Sequence, residues 1–364
     1  MRHFLALLPL GLVLAASCVS QEEDDCFYDS CNKDQPKDSV GGAGGTSDQA
    51  PREDLDCGTL VPTDQPITFA YLPTWTNVPA LAAELDFTQV THLALAFVNP
   101  SAVGEPLTFG YGTTAEEIAA LVATAHDHNV KVLISIGGAA ESSVVRELIA
   151  PEHREAYVDQ LAAFVTEHQL DGVDVDIEGN SVDGTYEPFV VKLAGKLRPE
   201  GKLVTAAVGQ WYAGQISARA LYCFDYLNVM AYDYTGSWTP IEEAGEHSSL
   251  TDARSALSYW TGSRGYPKSR TVLGVPFYGY CWGSACPGSS LSYREIVTDL
   301  PEVTTDYVEE PDRILTWNTR KTLVTKARIA RDYGGIMIWE LSHDLPGPDS
   351  ALSGIAEGLA PDAP

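Results

Sequence analysis

Three acidic side chains alternate with apolar ones in the stretch "LDGVDVDIEG" at residues 170–179. Asp174, Asp176 and Glu178 share one parity, and valine or isoleucine fills the positions between them. This period of two indicates a β-strand with one acidic face and one apolar face. Carboxyl groups crowded on a buried face raise one another's pKa, and an acid that stays protonated near neutral pH can act as a general acid. We therefore predict that this strand is catalytic.

Two other interpretations of the acidic face are open. The acids could belong to a structural network, since buried carboxylates need hydrogen-bond partners. They could also bind a divalent cation, because hard cations prefer carboxylate oxygens. Such ions usually take ligands from several elements, whereas this motif lies on one strand, so we predict no metal site.

The elements that must position these acids follow a regular alternation from Pro66 onward. The pattern predicts eight strands, at 67–72, 92–98, 131–137, 172–178, 203–208, 226–232, 271–277 and 335–341. It also predicts helices at 114–128, 153–168, 187–198 and 320–333, the first with a Thr114 cap and Glu117 three residues on. Eight strands in about 300 residues favour a (β/α)8 TIM barrel over an open doubly wound sheet. The sequence contains no Gly-rich phosphate-binding motif, so we predict no cofactor.

Barrel geometry then places the predicted site. Alternate side chains of each strand point inward, and the C-terminal ends of the strands face the active-site mouth. Glu178 is thus expected nearest to the mouth, above Asp176 and Asp174. Asn228 and Tyr232 share the inward parity of the sixth predicted strand, so the phenol of Tyr232 is expected beside Glu178.

The N-terminal residues 1–18, "MRHFLALLPLGLVLAASC", combine a positive start with an apolar run too short to span a bilayer. This is typical of a secretory signal. The end of the run also resembles a bacterial lipoprotein cleavage site, in which Cys18 would be lipidated. We interpret it in this way, with a plain signal peptide as the alternative. Residues 19–60 are predicted to be a flexible tether, and 61–364 a domain in the bacterial cell envelope or outside the cell.

Cysteine count and charge add further expectations. The chain has seven cysteines, so lipidation of Cys18 would leave six to pair in an oxidising compartment. Proximity in sequence suggests Cys26–Cys31, Cys281–Cys286 and, by remainder, Cys57–Cys223, although six cysteines allow 15 connectivities. The formal charge of −27 disfavours nucleic acid or anionic lipid as a partner. A neutral substrate and a monomeric protein are expected.

The acidic strand resembles the DGxDxDxE signature of glycoside hydrolase family 18, the chitinase family, which Asp171, Gly172, Asp174, Asp176 and Glu178 match. The similarity extends from about Ile67 to Leu341. Other family elements occur in the same order, namely Tyr71, Pro73 and Trp75 on the first strand, Phe97, Ser135 with Gly137 and Gly138, Met230 with Tyr232 and Asp233, and Trp339.

The resemblance implies retaining hydrolysis without an enzymic nucleophile. Glu178 would protonate the glycosidic oxygen while the acetamido oxygen of the substrate attacks the anomeric carbon, and would later act as base toward water. Asp176 would turn between Asp174 and the acetamido N–H, and Tyr232 would bind the acetamido oxygen. Other predicted sugar-binding residues are Tyr71, Phe97, Met230, Asp233, Trp238, Trp339, Gln210 and Trp211, with Tyr212 a further outer candidate.

The predicted function is a secreted, lipid-anchored hydrolase of the chitinase type that cleaves β-1,4 bonds between N-acetylglucosamine units. An endo-β-N-acetylglucosaminidase acting on N-glycans or peptidoglycan-derived glycans would use the same residues. A non-catalytic chitin-binding lectin is the alternative from another class. The short segment between Tyr278 and Trp317 predicts a loop stapled by Cys281–Cys286, without the large α+β insertion of many chitinases. A shallow cleft and endo action are expected from it.

Overall fold

The computed structural model describes residues 57–62, 66–139, 142–286 and 288–361. The strands in chain order are β1 (Ile67–Pro73), β2 (His92–Ala96), β3 (Val98–Asn99), β4 (Thr108–Phe109), β5 (Lys131–Gly137), β6 (Gly172–Asp176), β7 (Leu203–Val208), β8 (Tyr226–Val229), β9 (Thr271–Pro276), β10 (Tyr278–Trp282), β11 (Ser290–Ser292), β12 (Tyr307–Glu310), β13 (Arg313–Thr316) and β14 (Gly335–Trp339). Eight of them close into a parallel barrel in the order β1-β14-β9-β8-β7-β6-β5-β2. The predicted (β/α)8 barrel is therefore confirmed.

Helices cover the outside of the barrel between the strands. Their bounds are α1 (Val78–Glu84), α2 (Ala115–Asp127), α3 (Ser142–Leu148), α4 (Arg154–Glu167), α5 (Tyr186–Leu197), α6 (Ala218–Tyr222), α7 (Leu250–Ser258), α8 (Tyr293–Asp299), α9 (Arg320–Ala330) and α10 (Ala351–Leu359). Helix α2 begins at the predicted capping box, in which Thr114 and Glu117 bond each other's backbone. Across the described ranges, none of the helices is long and apolar enough to cross a membrane.

Several barrel strands end earlier than the sequence pattern predicts. Strand β6 ends at Asp176 and β8 at Val229, so Glu178 and Tyr232 lie beyond the last paired residues. After β2, residues 98–99 pair with β4 instead of continuing the barrel strand. The alternation of side chains continues past the point at which neighbouring strands separate, and alternation alone cannot reveal that point. The apolar residues Val173, Val175 and Ile177 are buried as predicted.

The segment between Tyr278 and Trp317 is not the stapled loop that the sequence predicts. Strands β10 to β13 form an antiparallel sheet in the order β11-β10-β13-β12, and α8 lies within the same segment. The Cys281–Cys286 disulfide is formed as predicted. Tyr278, Tyr280 and Trp282 alternate along β10 and are buried, which gives this small sheet an apolar face of its own. The insertion is nevertheless small.

The beginning of the described domain is fastened to the bottom of the barrel. Cys57 is buried and forms the predicted disulfide with Cys223. Cys57, which the sequence assigns to the end of the tether, is thus part of the folded domain. The rest of the tether, the signal at 1–18, the lipidation site Cys18 and the pair Cys26–Cys31 lie outside the described residues.

A buried ionic cluster joins the same bottom face. Asp225 precedes β8 and accepts hydrogen bonds from the backbone N–H groups of Val61 at 2.9 Å and Val204 at 2.8 Å. Two arginines flank its Oδ1 atom, with Arg198 Nη2 at 3.5 Å and Arg270 Nη1 at 3.8 Å. Burial raises the pKa of Asp225, and the charge of Arg198 and the backbone hydrogen bonds oppose that rise. The carboxylate therefore ties three chain segments together.

Candidate active site

Asp174 is fully buried and accepts hydrogen bonds from four other strands of the barrel. The donors are the hydroxyls of Tyr71 at 2.8 Å, Ser135 at 2.8 Å and Thr205 at 2.5 Å, and the amide of Asn228 at 3.3 Å. Burial raises the pKa of Asp174, and the four hydrogen bonds act in the opposite direction. Any rotation of this side chain would break several bonds, so it is a fixed acid at the base of the site.

Asp176 and Glu178 are held much less completely. The Oδ1 atom of Asp176 is buried without a hydrogen-bond partner. Burial, and then the charges of Glu178 and Asp174, raise the pKa of Asp176 well above its ordinary range. Glu178 follows β6 with an extended backbone (φ −120°, ψ 163°) and is partly exposed. Burial, and then the charge of Asp233, raise the pKa of Glu178 to about 7. Glu178 can therefore carry a proton near neutral pH.

Tyr232 lies within electrostatic reach of these acids, as its parity predicts. Burial, and then the charges of Asp176 and Asp233, raise the pKa of its phenol well above the ordinary value. Its hydroxyl is 3.9 Å from the sulfur of Met337. A Cβ atom on Gly274 would lie 3.1 Å from the Tyr232 ring and 2.7 Å from the Met337 methyl carbon. Glycine at this position of β9 therefore leaves room for the phenol at the mouth.

Asp233 follows Tyr232 with a positive φ of 63° and faces the small insertion. Its Oδ1 atom accepts hydrogen bonds from the hydroxyls of Tyr278 at 2.5 Å and Tyr280 at 3.1 Å. The Nδ1 atom of His247 lies 3.5 Å from the same oxygen. The insertion thus supplies two of the groups that hold a predicted sugar-binding residue.

An aromatic cluster lines the mouth at the end of β14. The ring centroid of Trp339 lies 5.1 Å from that of Tyr71, 5.7 Å from that of Phe97 and 6.3 Å from that of Trp75. Trp75 is 39% exposed, which excludes core packing as its role. Aromatic faces of this kind can stack on the apolar C–H faces of a sugar.

The outer candidates divide into exposed and buried residues. Trp211 and Trp238 are 48% and 55% exposed, so both are available for contact. Tyr212 is only 2% exposed, and the prediction that it lies in an outer subsite is wrong because its ring packs inside the domain. Gln210 Oε1 accepts a hydrogen bond from a tyrosine hydroxyl at 2.7 Å, and Met230 is buried. Aromatic residue type alone could not distinguish the exposed Trp211 from Tyr212, its buried neighbour.

Burial is the largest cause of the raised pKa of Asp174, Asp176 and Glu178. Neighbouring carboxylates add to it for Asp176 and Glu178, and among the described residues no lysine or arginine is a cause of these shifts. The same part of the chain contains no group of three or more histidine, cysteine, aspartate or glutamate side chains that could hold a metal ion. The arrangement is suited to holding and transferring a proton, because its acids are buried and mutually repelling.

The comparison with protein families is decisive for the class of protein. The model of glycosyl hydrolases family 18 matches residues 67–344, which include the whole barrel and every acid described above. The chain belongs to this family. The protein is therefore a family 18 glycoside hydrolase, and its relatives include named chitinases.

Individual relatives agree in sequence and in fold. A class V chitinase of Lotus japonicus is 27% identical over 293 residues, which cover 71% of this chain and 70% of that protein. A chitinase from the chitin utilization locus of Flavobacterium johnsoniae superimposes with a TM-score of 0.71 at 32% identity, covering 81% of this chain and 94% of its own. A Cycas revoluta class V chitinase mutant in complex with (GlcNAc)3 shares the fold, with a TM-score of 0.70, 21% identity and coverage of 81% and 100%.

Sequence reasoning missed several residues that shape this family 18 site. Thr205 donates to Asp174, and Tyr278 and Tyr280 donate to Asp233. Thr205 has the inward parity of a polar residue in an otherwise apolar strand, which is a signal that could have been used. The alternating aromatics of "YGYCW" also predict a one-faced strand. His247 gives no such signal, because the segment between β8 and α7 that contains it and Asp233 has no strand or helix periodicity.

Proposed function

We propose that this hydrolase cleaves β-1,4 bonds between N-acetylglucosamine units with retention, using the acetamido group of the substrate as the nucleophile. The observation that carries the proposal is the graded column of acids. Asp174 is saturated by four donors, Asp176 has an unpartnered buried oxygen, and Glu178 carries a proton near pH 7. A column that ends in a partly exposed, protonated carboxyl group is what leaving-group protonation requires.

In the first step, Glu178 gives its proton to the glycosidic oxygen as the bond to the anomeric carbon breaks. The acetamido carbonyl oxygen bonds to that carbon, which gives an oxazolinium ion, and the shortened chain leaves as an alcohol. In the second step, the Glu178 carboxylate takes a proton from water while the water oxygen attacks the anomeric carbon, and the bond from that carbon to the acetamido oxygen breaks to restore the acetamido group. The sugar is released with its original configuration, and Glu178 is protonated again.

Asp176 and Tyr232 would act on the acetamido group itself. The unpartnered Oδ1 of Asp176 can accept a hydrogen bond from the acetamido N–H and stabilise the positive charge that develops there. The phenol of Tyr232, whose raised pKa keeps it protonated, can donate to the acetamido oxygen and orient it. Trp339 and its aromatic neighbours would support the sugar from below.

The test is a product analysis of the purified protein on chitin, as oligosaccharides and as long chains, on an N-glycan, on a peptidoglycan fragment and on fully deacetylated chitosan. We expect cleavage of chitin. The β-anomer should be the initial product, and early products should have a range of lengths, which indicates endo action. Chitosan should be inert, because it lacks the nucleophile. Cleavage of chitosan would exclude acetamido participation, and binding without products would support the lectin. Cleavage of only the N-glycan or only the peptidoglycan fragment would show that this glycan, and not chitin, is the substrate. Early products that consist only of dimers would contradict endo action.

We also propose that the protein is exported and anchored to the cell envelope by lipid on Cys18. The support is the charged start, the apolar run and the small residues before Cys18. Expression in a bacterial host with a labelled fatty acid should label the wild type and place it in the membrane fraction. Cys18→Ala should abolish the label. An unlabelled wild type that is recovered in the medium would support the plain signal peptide instead.

A further inference from the structure

His247 is a buried histidine to which the proposed mechanism assigns no role. Its side chain is fully buried, and neither ring nitrogen has a hydrogen-bond partner. Its ring centroid lies 5.2 Å from that of Tyr278 and 5.1 Å from that of Tyr280. Its Nδ1 atom lies 3.5 Å from Asp233 Oδ1, the oxygen to which both phenols donate. Buried polar nitrogens without partners are uncommon in native proteins and require an explanation.

The segment that carries His247 is tied to the chain on both sides of Asp233. The carbonyl of His247 accepts from the N–H of Tyr234 at 3.1 Å. The hydroxyl of Ser248 donates to the carbonyl of Ala231 at 2.6 Å. Lys326, whose pKa is lowered to about 7 by burial, in turn donates to the carbonyl of Ser248 at 2.6 Å and to its hydroxyl at 2.7 Å. These bonds hold the imidazole at the Asp233 carboxylate independently of any contact that the ring itself makes.

We propose that His247 is a positioning residue for Asp233. Its imidazole fixes the Asp233 carboxylate and interacts with the negative charge of that group, and this interaction is stronger when the imidazole is protonated. The inference rests on the proposed function, in which Glu178 is the acid, and on the predicted sugar-binding role of Asp233. A donor to a carboxylate favours the ionised form, and a cationic donor does so more strongly than a neutral one. The imidazole of His247 is thus a third group at this carboxylate, beside the two phenols that donate to it.

The groups that face His247 agree with this role. Asp233 lies after β8, and Tyr278 and Tyr280 come from β10. Lys326 of α9 binds the neighbouring serine and not the imidazole. The charge of Asp233 contributes to the raised pKa of Glu178, although burial contributes more. A change in the charge of Asp233 would therefore change the pKa of Glu178, the proposed acid.

The experiment is the pH dependence of kcat/KM on a chitooligosaccharide for the wild type, His247→Phe, His247→Asn and Tyr280→Phe. His247→Phe fills the space without a donor, and we expect its acidic limb to move up by roughly one pH unit. Its maximum should fall roughly tenfold, because Asp233 loses the imidazole nitrogen that lies 3.5 Å from its Oδ1 atom. The basic limb, set by Glu178, should stay in place, because Asp233 is ionised there in both proteins.

The other two variants separate charge from hydrogen bonding. His247→Asn restores a neutral donor near the Nδ1 position, so its maximum should recover while its acidic limb stays shifted. Tyr280→Phe removes a neutral donor from the same oxygen and should shift the limb less than His247→Phe does. Circular dichroism identifies any variant that does not fold. If His247→Phe does not fold, the position of the acidic limb in His247→Asn tests the inference.

Unmoved acidic limbs in the folded His247 variants, with an active wild type, would overturn this inference and leave the proposed function intact. A loss of kcat with neither limb moved would show a merely structural role and would also overturn it. A wild type without turnover on any acetylated substrate would remove the proposed function, and this inference with it.

Discussion

The two ends of the barrel both bury carboxylates, and they surround them with opposite partners. At the bottom, Asp225 has two arginines within 3.8 Å and accepts two backbone N–H bonds. At the mouth, Asp176 has a buried oxygen with no partner, and its nearest charges are other acids. Asp225 directly precedes β8, whereas Asp176 is the last residue of β6, so the two aspartates lie at opposite ends of parallel strands. Position in the barrel, and not residue type, therefore decides their environment.

This difference shows how one fold separates stability from chemistry. A carboxylate that is neutralised by arginine has no reason to exchange protons, and it can hold chain segments together. Acids that repel one another hold protons at unusually high pH, which suits proton transfer and costs stability. The same barrel thus supports an ion-paired bottom face and a mouth of mutually repelling acids. Substitutions at the two ends should consequently change different measurements.

The largest expected effect comes from Glu178→Gln, which removes the proton donor from the mouth. The amide keeps the shape but cannot donate a proton usefully, so kcat on chitooligosaccharides should fall by about 10²- to 10⁴-fold. Binding should be retained, because the change is nearly isosteric. Steady-state kinetics and isothermal titration calorimetry measure the two quantities. Near-wild-type turnover would reject Glu178 as the acid.

Asp171→Asn is the matched control in the same acidic stretch. Asp171 lies outside the barrel mouth, where its Oδ2 accepts from the N–H of Val132 at 2.8 Å and lies 2.8 Å from His126 Nε2. Its substitution should keep most of the turnover and lower the thermal midpoint. An equal loss of turnover in both variants would show that the stretch acts through its fold, and would break the comparison.

The second effect concerns the bottom of the barrel. Asp225→Asn leaves the buried Arg198 and the partly buried Arg270 without their counter-charge, which should lower the free energy of unfolding by about 3–5 kcal/mol. Turnover per folded molecule should be unchanged, because the cluster lies at the far end of the strands. Urea unfolding followed by fluorescence measures the loss, and kinetics at a temperature where the variant is folded measure the turnover.

Asp159→Asn gives the control for Asp225→Asn. Asp159 forms an exposed pair with Lys196 at 2.7 Å, with side chains 54% and 47% exposed. Exposed pairs contribute little, so this variant should lose much less free energy of unfolding than Asp225→Asn does. Equal losses in the two variants would mean that the buried cluster contributes no more than a surface pair.

The barrel was predictable because its signals are local and repeated. Each strand carries its own alternation, and the positions of Glu178 and Tyr232 follow from parity once a barrel is assumed. Strand ends were not predictable, because the separation of neighbouring strands depends on both partners. The sheet formed by β10 to β13 was missed for a similar reason, since its pairing joins residues far apart in the chain.

The site was predictable in its acids and less so in their partners. Asp174, Asp176 and Glu178 are visible in one stretch of sequence. The donors to Asp174 come from four other strands, and those to Asp233 come from the insertion. A side chain buried by tertiary packing, such as Tyr212, has the same composition signal as an exposed one. Contacts of this kind require the register between elements, which no single stretch contains.

The smallest expected effect is the pH dependence of stability that the mouth imposes. The folded state raises the pKa of Glu178 from 4.5 to about 7, so it binds this proton more tightly than the unfolded chain does. Stability should therefore be lost as the pH rises from about 4.5 to about 7. Because Glu178 is partly exposed, solvent screening should reduce the loss to about 1–2 kcal/mol. Urea unfolding of the wild type and Glu178→Gln should show a difference that grows over this range in favour of the variant, whereas a constant difference would mean that the mouth is no more strained than the bottom.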